Sequence, residues 1–545
     1  MRGLMMDVPL LVSAVLRHAA TYHGETAIVS RSVEGPIHRT NYAELHARSQ
    51  RLARALLALG IGPGDRVGTL AWNTHRHLEI YYAAGGAGMV CHTINPRLFP
   101  DQIAGIIQHA RDAVLCADLT FVPLLQGLAG RLGDVCAIIL MTDAAHMPPQ
   151  PEGLPPLLCY EDLLAAQPPH FDWPTLDENE ACGLCYTSGT TGMPKGALYS
   201  HRSCILHAMA CCLPDVFALG ASSVVMPVVP MFHVNAWGIP YAAPIVGASL
   251  VLPGPKLDGA SLHELITTEG VTFSAGVPTI WMAMLDWLDA NQAGTGRLQR
   301  VAIGGSACPP VVIRRFEARG ISVLHAWGMT ETSPVGLANA PKARHAGLQE
   351  AERQALAAKQ GRPLFGMEFR IQGADGAEVP RDGTAFGRLL VRGPWVAAAY
   401  HDTPPGPAHA EPGWFDTGDV ATMDADGYVA IVDRTKDVIK SGGEWISSIE
   451  LENIAVAHPA VLEAAAVARP DPKWGERPLL VIVLRPGAEL TREDMRAHFE
   501  GRVARWCIPD DIRIVEELPH TATGKLLKSK IRELYAAPAS AAAGN

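Results

Sequence analysis

Apolar positions recur along this chain in two rhythms, one helical and one strand-like, and the switches between them outline its elements. Asn41 followed three residues later by Glu44 reads as a capped helix start. Leu45, Leu52, Leu56 and Leu57 then supply one apolar face until Gly60 ends it. A strand-like run occupies Arg66 to Ala71, and a helical pattern begins at Leu78. Val224 to Val229 and Ser249 to Leu252 read as buried strands. This alternation holds through the first two-thirds and predicts an α/β architecture, with parallel-rich sheets flanked by helices. Near the start, Leu10, Leu11, Ala14 and Val15 suit an amphipathic helix, and Asp7 interrupts the apolar stretch that a signal peptide would need.

The texture changes near Asp433. Arg434 to Lys440 is short and charged, Ser441-Gly442-Gly443 is a turn, and Ser447 with Glu450 starts a helix whose apolar face begins at Leu451 and Ile454. Strands are expected at Ala464 to Ala468, Leu479 to Leu484 and Ile512 to Val515. Helices are expected near Thr491 and after Gly524. That inventory predicts a small α+β domain. The expected division is a large N-terminal domain over 1–434 and a C-terminal domain over 435–545. The Ala-rich tail is expected to be disordered.

Composition narrows the function. A chain of 545 residues exceeds a single core, and 48% hydrophobic with 18% charged residues is a globular balance. With 45 basic against 55 acidic side chains the formal charge is -10, which argues against nucleic acid. Eleven cysteines follow no disulfide or zinc spacing, so a reducing cytoplasm is expected. Cys182 and Cys185 form a C-x-x-C inside a strand-like run and read as buried packing. Between Asp215 and Lys256 no charged residue occurs, but Pro227, Pro230, Pro240, Pro244 and Pro253 rule out a spanning helix. Buried strands and loops, forming a pocket wall, are expected there.

The richest chemistry lies in Tyr186-Thr187-Ser188-Gly189-Thr190-Thr191-Gly192-Met193-Pro194-Lys195-Gly196. Glycines let successive N–H groups converge on an anion, while the hydroxyls and Lys195 add donors for phosphate. The loop follows an apolar strand, where α/β folds present ligands, yet it lacks the spelling of a kinase-type P-loop. It resembles the signature loop of the adenylate-forming superfamily of acyl-CoA synthetases, peptide-synthetase adenylation domains and luciferases.

That resemblance runs from Asn95-Pro96-Arg97-Leu98 to Lys525 and implies roles for specific residues. Thr187, Ser188, Gly189, Thr190, Thr191, Gly192 and Lys195 would hold the polyphosphate. Gly305, Ser306 and Ala307 would form the adenine turn, followed by His325, Ala326, Trp327, Gly328, Met329 and Thr330. Glu331 and Thr187 would hold Mg²⁺, Asp419 and Arg434 the ribose, and Lys525 would neutralise charge between carboxylate and α-phosphate. His233, Val234, Trp237, Gly305, Trp327 and Gly328 would line the acyl pocket, with His233 also near the chemistry. Lys436 matches the hinge of a mobile C-terminal domain, and Lys440, Gly442, Gly443 and Trp445 a passage for coenzyme A.

The implied reaction is ATP-dependent acid–CoA ligation, in which an acyl-adenylate and pyrophosphate form first and acyl-CoA and AMP second. Pro230 to Trp237 and Lys440 to Ser447 are similar to medium- and long-chain fatty acyl-CoA synthetases. Trp327 stands where a Tyr is expected, and its extra ring would favour short to medium aliphatic or thioether acids. Aryl or cinnamate-type CoA ligases and a non-catalytic adenylate-binding scaffold remain as alternatives. A homodimer is the family's habit.

Overall fold

The computed structural model describes residues 1, 3–187, 194–442, 444–520 and 526–536. Among these, the strands assemble into four sheets. The first is seven-stranded, in the order Leu157–Cys159, Ile138–Leu140, Asp112–Ala117, Arg66–Leu70, Val90–Thr93, Ala181–Tyr186 and Gly196–Ser200. All its neighbours are parallel except the last pair, an antiparallel hairpin whose connection is the glycine-rich loop.

The second sheet is nine-stranded. Six neighbouring strands, from Ser322–Gly328 through Arg300–Ile303, Phe273–Gly276, Val224–Pro227 and Ser249–Leu252 to Ala27–Arg31, run parallel. Antiparallel strands close both edges. Helix His75–Gly86 packs against strands of both large sheets and is buried along almost its whole length. Strands covered on both faces must be apolar throughout, which is why they read as short continuous runs.

A four-stranded antiparallel sheet follows, from Glu368–Gln372 to Val429–Arg434. Beyond Arg434 a five-stranded sheet begins, centred on the long pair Val461–Asp471 and Gly475–Leu484. Asp511–Val515 adds to it in parallel, and helices Ser448–Val456 and Arg492–Phe499 cover it. This is the smaller, mixed unit expected at the C-terminal end. It is tied back at Asp433, where Oδ2 accepts the Ser448 N–H at 2.6 Å and its hydroxyl at 2.7 Å.

Local signals located these elements well. Asn41 caps helix Tyr42–Ala58 by accepting the Glu44 N–H at 2.9 Å, and Ser447 and Thr491 cap theirs in the same way. Two details differ. Leu57 is 41% exposed while Leu45, Leu52 and Leu56 are fully buried, because each helical step of about 100° turns Leu57 off the face that Leu56 holds. And the proline-rich stretch contains a helix, Ile239–Val246, with Pro244 inside it. Pro244 cannot donate to the Pro240 carbonyl, and the Tyr82 hydroxyl donates to that carbonyl instead, at 2.7 Å. No helix among the described residues is long and apolar enough to cross a membrane. Cys182 and Cys185 are buried in strand Ala181–Tyr186 as free thiols, which fits the packing role.

Candidate active site

The nucleotide side of the site is built where parallel strands end. Ala181–Tyr186 delivers Thr187, whose N–H donates to the Lys195 carbonyl at 2.8 Å; the Lys195 N–H reaches back to the Thr187 hydroxyl at 3.3 Å. These two bonds close the neck of the phosphate loop. Ser188, Gly189, Thr190, Thr191 and Gly192 lie outside the described residues.

Lys195 is exposed, and its Nζ stands 5.0 Å from the centroid of the Tyr400 ring, within cation–π range. The Tyr400 hydroxyl donates to Glu331 Oε1 at 2.6 Å. Burial, then the Glu331 charge, pushes the Tyr400 phenol up, so it stays a donor. Thr330, just before Glu331, is held through its carbonyl, which accepts the Tyr199 hydroxyl at 2.7 Å. Lys195, Tyr400, Glu331 and Thr330 thus form one assembly. A buried carboxylate has lone pairs beyond the one Tyr400 uses, which suits a hard cation that arrives with polyphosphate oxygens. Among the described residues no group of three or more His, Cys, Asp or Glu offers a complete metal cage.

Asp419 and Arg434, expected at the ribose, form a second assembly. Asp419, on strand Phe415–Met423, is buried. Its Oδ1 pairs with Arg434 Nε at 2.9 Å and its Oδ2 accepts the Trp327 indole N–H at 2.9 Å. Arg434 Nη1 also donates to the Thr417 carbonyl at 2.9 Å. Trp327, half-buried on strand Ser322–Gly328, packs edge-on against Phe369 with centroids 5.6 Å apart. Its indole therefore serves as a donor to the Asp419 carboxylate as well as a flat surface.

The turn Gly304 to Ala307 follows strand Arg300–Ile303. A Cβ on Gly304 would lie 2.8 Å from the Ala326 carbonyl and 3.2 Å from the Trp237 ring, so only glycine fits; Gly305 takes φ +84°. Ser306 is exposed. His325, beneath this turn, accepts the Cys308 N–H at 3.4 Å, and burial pulls its pKa down to about 4, so it is neutral.

Of the residues expected to line the acyl pocket, Val234 and Trp237 lie in a strained turn that His233 leads into. His233 N–H bonds to the Pro230 carbonyl at 3.1 Å. Val234, Asn235, Ala236 and Trp237 then take φ of 48°, 50°, 45° and 58°, and Gly238 follows at 75°. Left-handed backbone costs each non-glycine residue roughly 1–2 kcal/mol, so the surroundings must hold it. Asn73 anchors the segment leading into it: its Nδ2 donates to the Pro227 and Val229 carbonyls, each at 2.9 Å, and its Oδ1 accepts the Met231 N–H at 2.7 Å. Tyr81 adds a hydroxyl 3.2 Å from Asn235 Oδ1. Trp237 is buried against Gly304, which joins this wall to the adenine turn.

The residues expected at the hinge and the coenzyme A passage gather elsewhere. Trp445 packs on Phe386 with centroids 5.1 Å apart, and Lys440 Nζ lies 5.8 Å from the Trp445 ring. Gly442, at φ +62°, donates to the Trp474 carbonyl at 2.8 Å; a Cβ there would come within 2.8 Å of the Trp474 ring. In this arrangement Trp445 rests on the four-stranded sheet through Phe386, and Gly442 on its own unit through Trp474. Lys436 is exposed at the junction, next to Asp437, which pairs with Arg532 at 2.7 Å. Gly443 and Lys525 lie outside the described residues.

Tyr400, Tyr199 and Asn73 support this site and carry no motif that would single them out. They are recognised only once the chain is folded.

Comparison with known proteins agrees with the geometry. The profile of the AMP-binding enzyme family matches residues 15–401, and that of the AMP-binding enzyme C-terminal domain matches 450–525. A medium-chain-fatty-acid–CoA ligase of Ectopseudomonas oleovorans is 51% identical over 98% of each chain. A 3-methylmercaptopropionyl-CoA ligase of Ruegeria lacuscaerulensis is 52% identical over 98% of this chain and 99% of that one. The crystal structure of the anthranilate CoA ligase AuaEII with anthranoyl-AMP superposes with a TM-score of 0.86 at 26% identity, over 97% of this chain and 98% of that one. By these matches the chain belongs to the AMP-binding enzyme family, as one of its acyl-CoA ligases.

Proposed function

We propose that the chain activates a short- to medium-chain aliphatic acid, or a similar thioether acid, with Mg²⁺ and ATP, and passes the acyl group to coenzyme A. The observation that carries the choice of acid is the turn from Val234 to Trp237, buried and apolar but for Asn235, with Trp237 pressed against Gly304. The two relatives named above, one for medium-chain acids and one for a thioether acid, support the same reading.

In the first half-reaction the substrate carboxylate attacks the α-phosphorus and pyrophosphate leaves. Asp419 accepts the ribose hydroxyls while Arg434 and Trp327 hold its carboxylate still. Thr187, Thr191 and Lys195 contact the polyphosphate. Glu331 and Thr187 would hold Mg²⁺, which would supply charge neutralisation there. Two anions must approach each other, and Lys525 offsets their repulsion.

In the second half-reaction the coenzyme A thiol attacks the acyl carbonyl, the acyl–oxygen bond breaks and AMP leaves. Here the domains divide at 434/435, and a rotation near Lys436 withdraws Lys525 and brings Gly442 and Gly443 to the cleft. His233 lies where the acyl carbonyl meets the adenylate. A homodimer, on family habit, and a cytoplasmic location, on the free buried thiols, complete the reading.

A panel of acids from propionate to palmitate, with methylmercaptopropionate, benzoate and cinnamate, tests it by mass spectrometry. Highest turnover to acyl-CoA among aliphatic acids of short to medium length is expected. A clear preference for benzoate or cinnamate would replace the aliphatic reading with the aryl one. ATP bound without turnover of any acid would favour the scaffold.

A further inference from the structure

Two turns that must stay in register for the reaction meet on one buried side chain. Helix His201–Cys211 follows the glycine-rich hairpin and carries His207, which is 1% exposed. His207 Nε2 accepts the Val335 N–H at 3.0 Å. Val335 lies just past the Gly328–Glu331 signature. The Pro334 carbonyl before it accepts the Met329 N–H at 3.3 Å, and the Val335 carbonyl accepts the Trp395 indole N–H at 3.2 Å.

On the opposite side His207 meets the left-handed turn. A Cβ on Gly238 would lie 2.6 Å from His207 Nδ1, so the ring and the turn backbone are in close contact. One helical turn on, Cys211 Sγ lies 3.5 Å from His207 Nε2 and 4.0 Å from the Trp237 carbonyl. Trp237 in turn presses on Gly304. Burial brings the His207 pKa down to about 3. The ring is therefore neutral, and its acceptor role at Nε2 leaves the proton on Nδ1.

We propose that His207 is a positioning residue that fixes the acyl-side turn Val234–Gly238 against the Gly328–Glu331 signature, and thereby helps set which acids the cleft accepts. It touches no substrate. It works by seating on one rigid helix the two backbone segments between which the acid carboxylate must lie, and a displacement of a fraction of an ångström there changes both acid fit and approach geometry. The inference rests on the assignment of the turn to the acyl pocket made above.

The test uses acid-dependent pyrophosphate exchange across the acid panel, with the full-length enzyme and four variants. His207→Phe keeps a ring but offers Val335 no acceptor. His207→Gln supplies a side-chain oxygen in its place. The Phe variant is expected to lose at least tenfold in kcat/KM for the preferred acid and to flatten the chain-length profile, with the acid KM raised more than the ATP KM. The Gln variant is expected to recover most of both.

A folded Phe variant with an unchanged profile would overturn the proposal, and so would an equal loss for every acid that glutamine does not repair. Should the Phe variant not fold, Gly238→Ala presses on the same ring from the turn; a flattened profile supports the proposal and an unchanged one overturns it. Trp237→Ala separates the underlying assumption, because an unchanged profile in that variant removes the turn from the acyl pocket whatever His207 does.

Discussion

The proposed nucleotide and acyl walls of the site are held by different means. On the nucleotide wall, side-chain chemistry does the holding. Asp419 is pinned between Arg434 and Trp327, and Glu331 is pinned by Tyr400 beneath Lys195. On the proposed acyl wall the backbone itself is the feature: four consecutive non-glycine residues in left-handed conformation, flanked by the segment that Asn73 anchors, the Tyr81 hydroxyl near Asn235 and the His207 ring against Gly238. A nucleotide is the same in every turnover, so fixed charges and donors suit it. An acid is recognised by the space it fills, and a strained, well-braced turn can define such a space without presenting polar groups. Changes on the first wall should therefore act on ATP and on rate, and changes on the second on the acid profile.

The largest effect expected is at neither wall. Lys525→Met should lower acid-dependent pyrophosphate exchange by about 10²–10³-fold, the usual cost of losing a donor aimed at developing charge. Thioester formation from supplied acyl-adenylate should stay within a few fold. An equal loss in both half-reactions would show that Lys525 serves folding or docking instead.

Next comes the ribose corner. Asp419→Ala removes the partner of Arg434 and of the Trp327 indole, and is expected to raise the ATP KM by about 10- to 100-fold, since charge-assisted bonds contribute roughly 1.5–3 kcal/mol. The acid profile should not move. Arg434 is 42% exposed, so its unpaired charge remains hydrated and the fold should survive, as a melting curve would record.

Trp327→Tyr tests a residue expected to serve both walls. It removes the indole donor and one ring, so the profile should shift toward longer acids by about 1 kcal/mol, or fivefold in relative kcat/KM, with a smaller rise in ATP KM. An unchanged profile would free Trp327 from any part in acid choice.

The smallest effect concerns pH. His207 has a native pKa near 3, below the ordinary 6.5. As pH falls below 6.5 the unfolded chain takes up a proton that the native ring refuses, so stability present above 6.5 is lost down to about 3. The slope is roughly 1.4 kcal/mol per pH unit. Between pH 7 and 5, His207→Gln should therefore lose less Tm than the unmodified chain, by a degree or two. A parallel loss would mean that His207 is protonated in the native state.

What could be read from the residues in advance follows the same division. Asn41, Ser447 and Thr491 announce helices because a cap acts over three residues, and Gly304-Gly305 announces a close backbone approach because no side chain fits there. Asp419, Arg434 and Glu331 were legible through motifs. Their braces were not: Tyr400 lies 69 residues from Glu331, Tyr199 lies 131 from Thr330, and His207 lies 128 from Val335. No local spacing connects such pairs. The left-handed turn was equally silent, since Val234, Asn235, Ala236 and Trp237 contain none of the glycines that usually mark positive φ. Trp327 was visible as a departure from the expected Tyr, but its bond to Asp419 appears only in the folded chain.

The most direct test of the account follows one oxygen atom. The preferred acid, labelled with ¹⁸O in its carboxylate, is incubated with the enzyme, Mg-ATP and coenzyme A, and the products are analysed by mass spectrometry. Attack on the α-phosphorus followed by cleavage of the acyl–oxygen bond must leave one ¹⁸O in each AMP and none in pyrophosphate. Labelled AMP accompanied by acyl-CoA is the predicted result. Unlabelled AMP, or label in inorganic phosphate with ADP, would contradict the acyl-adenylate route on which the roles of Asp419, Glu331 and Lys525 depend.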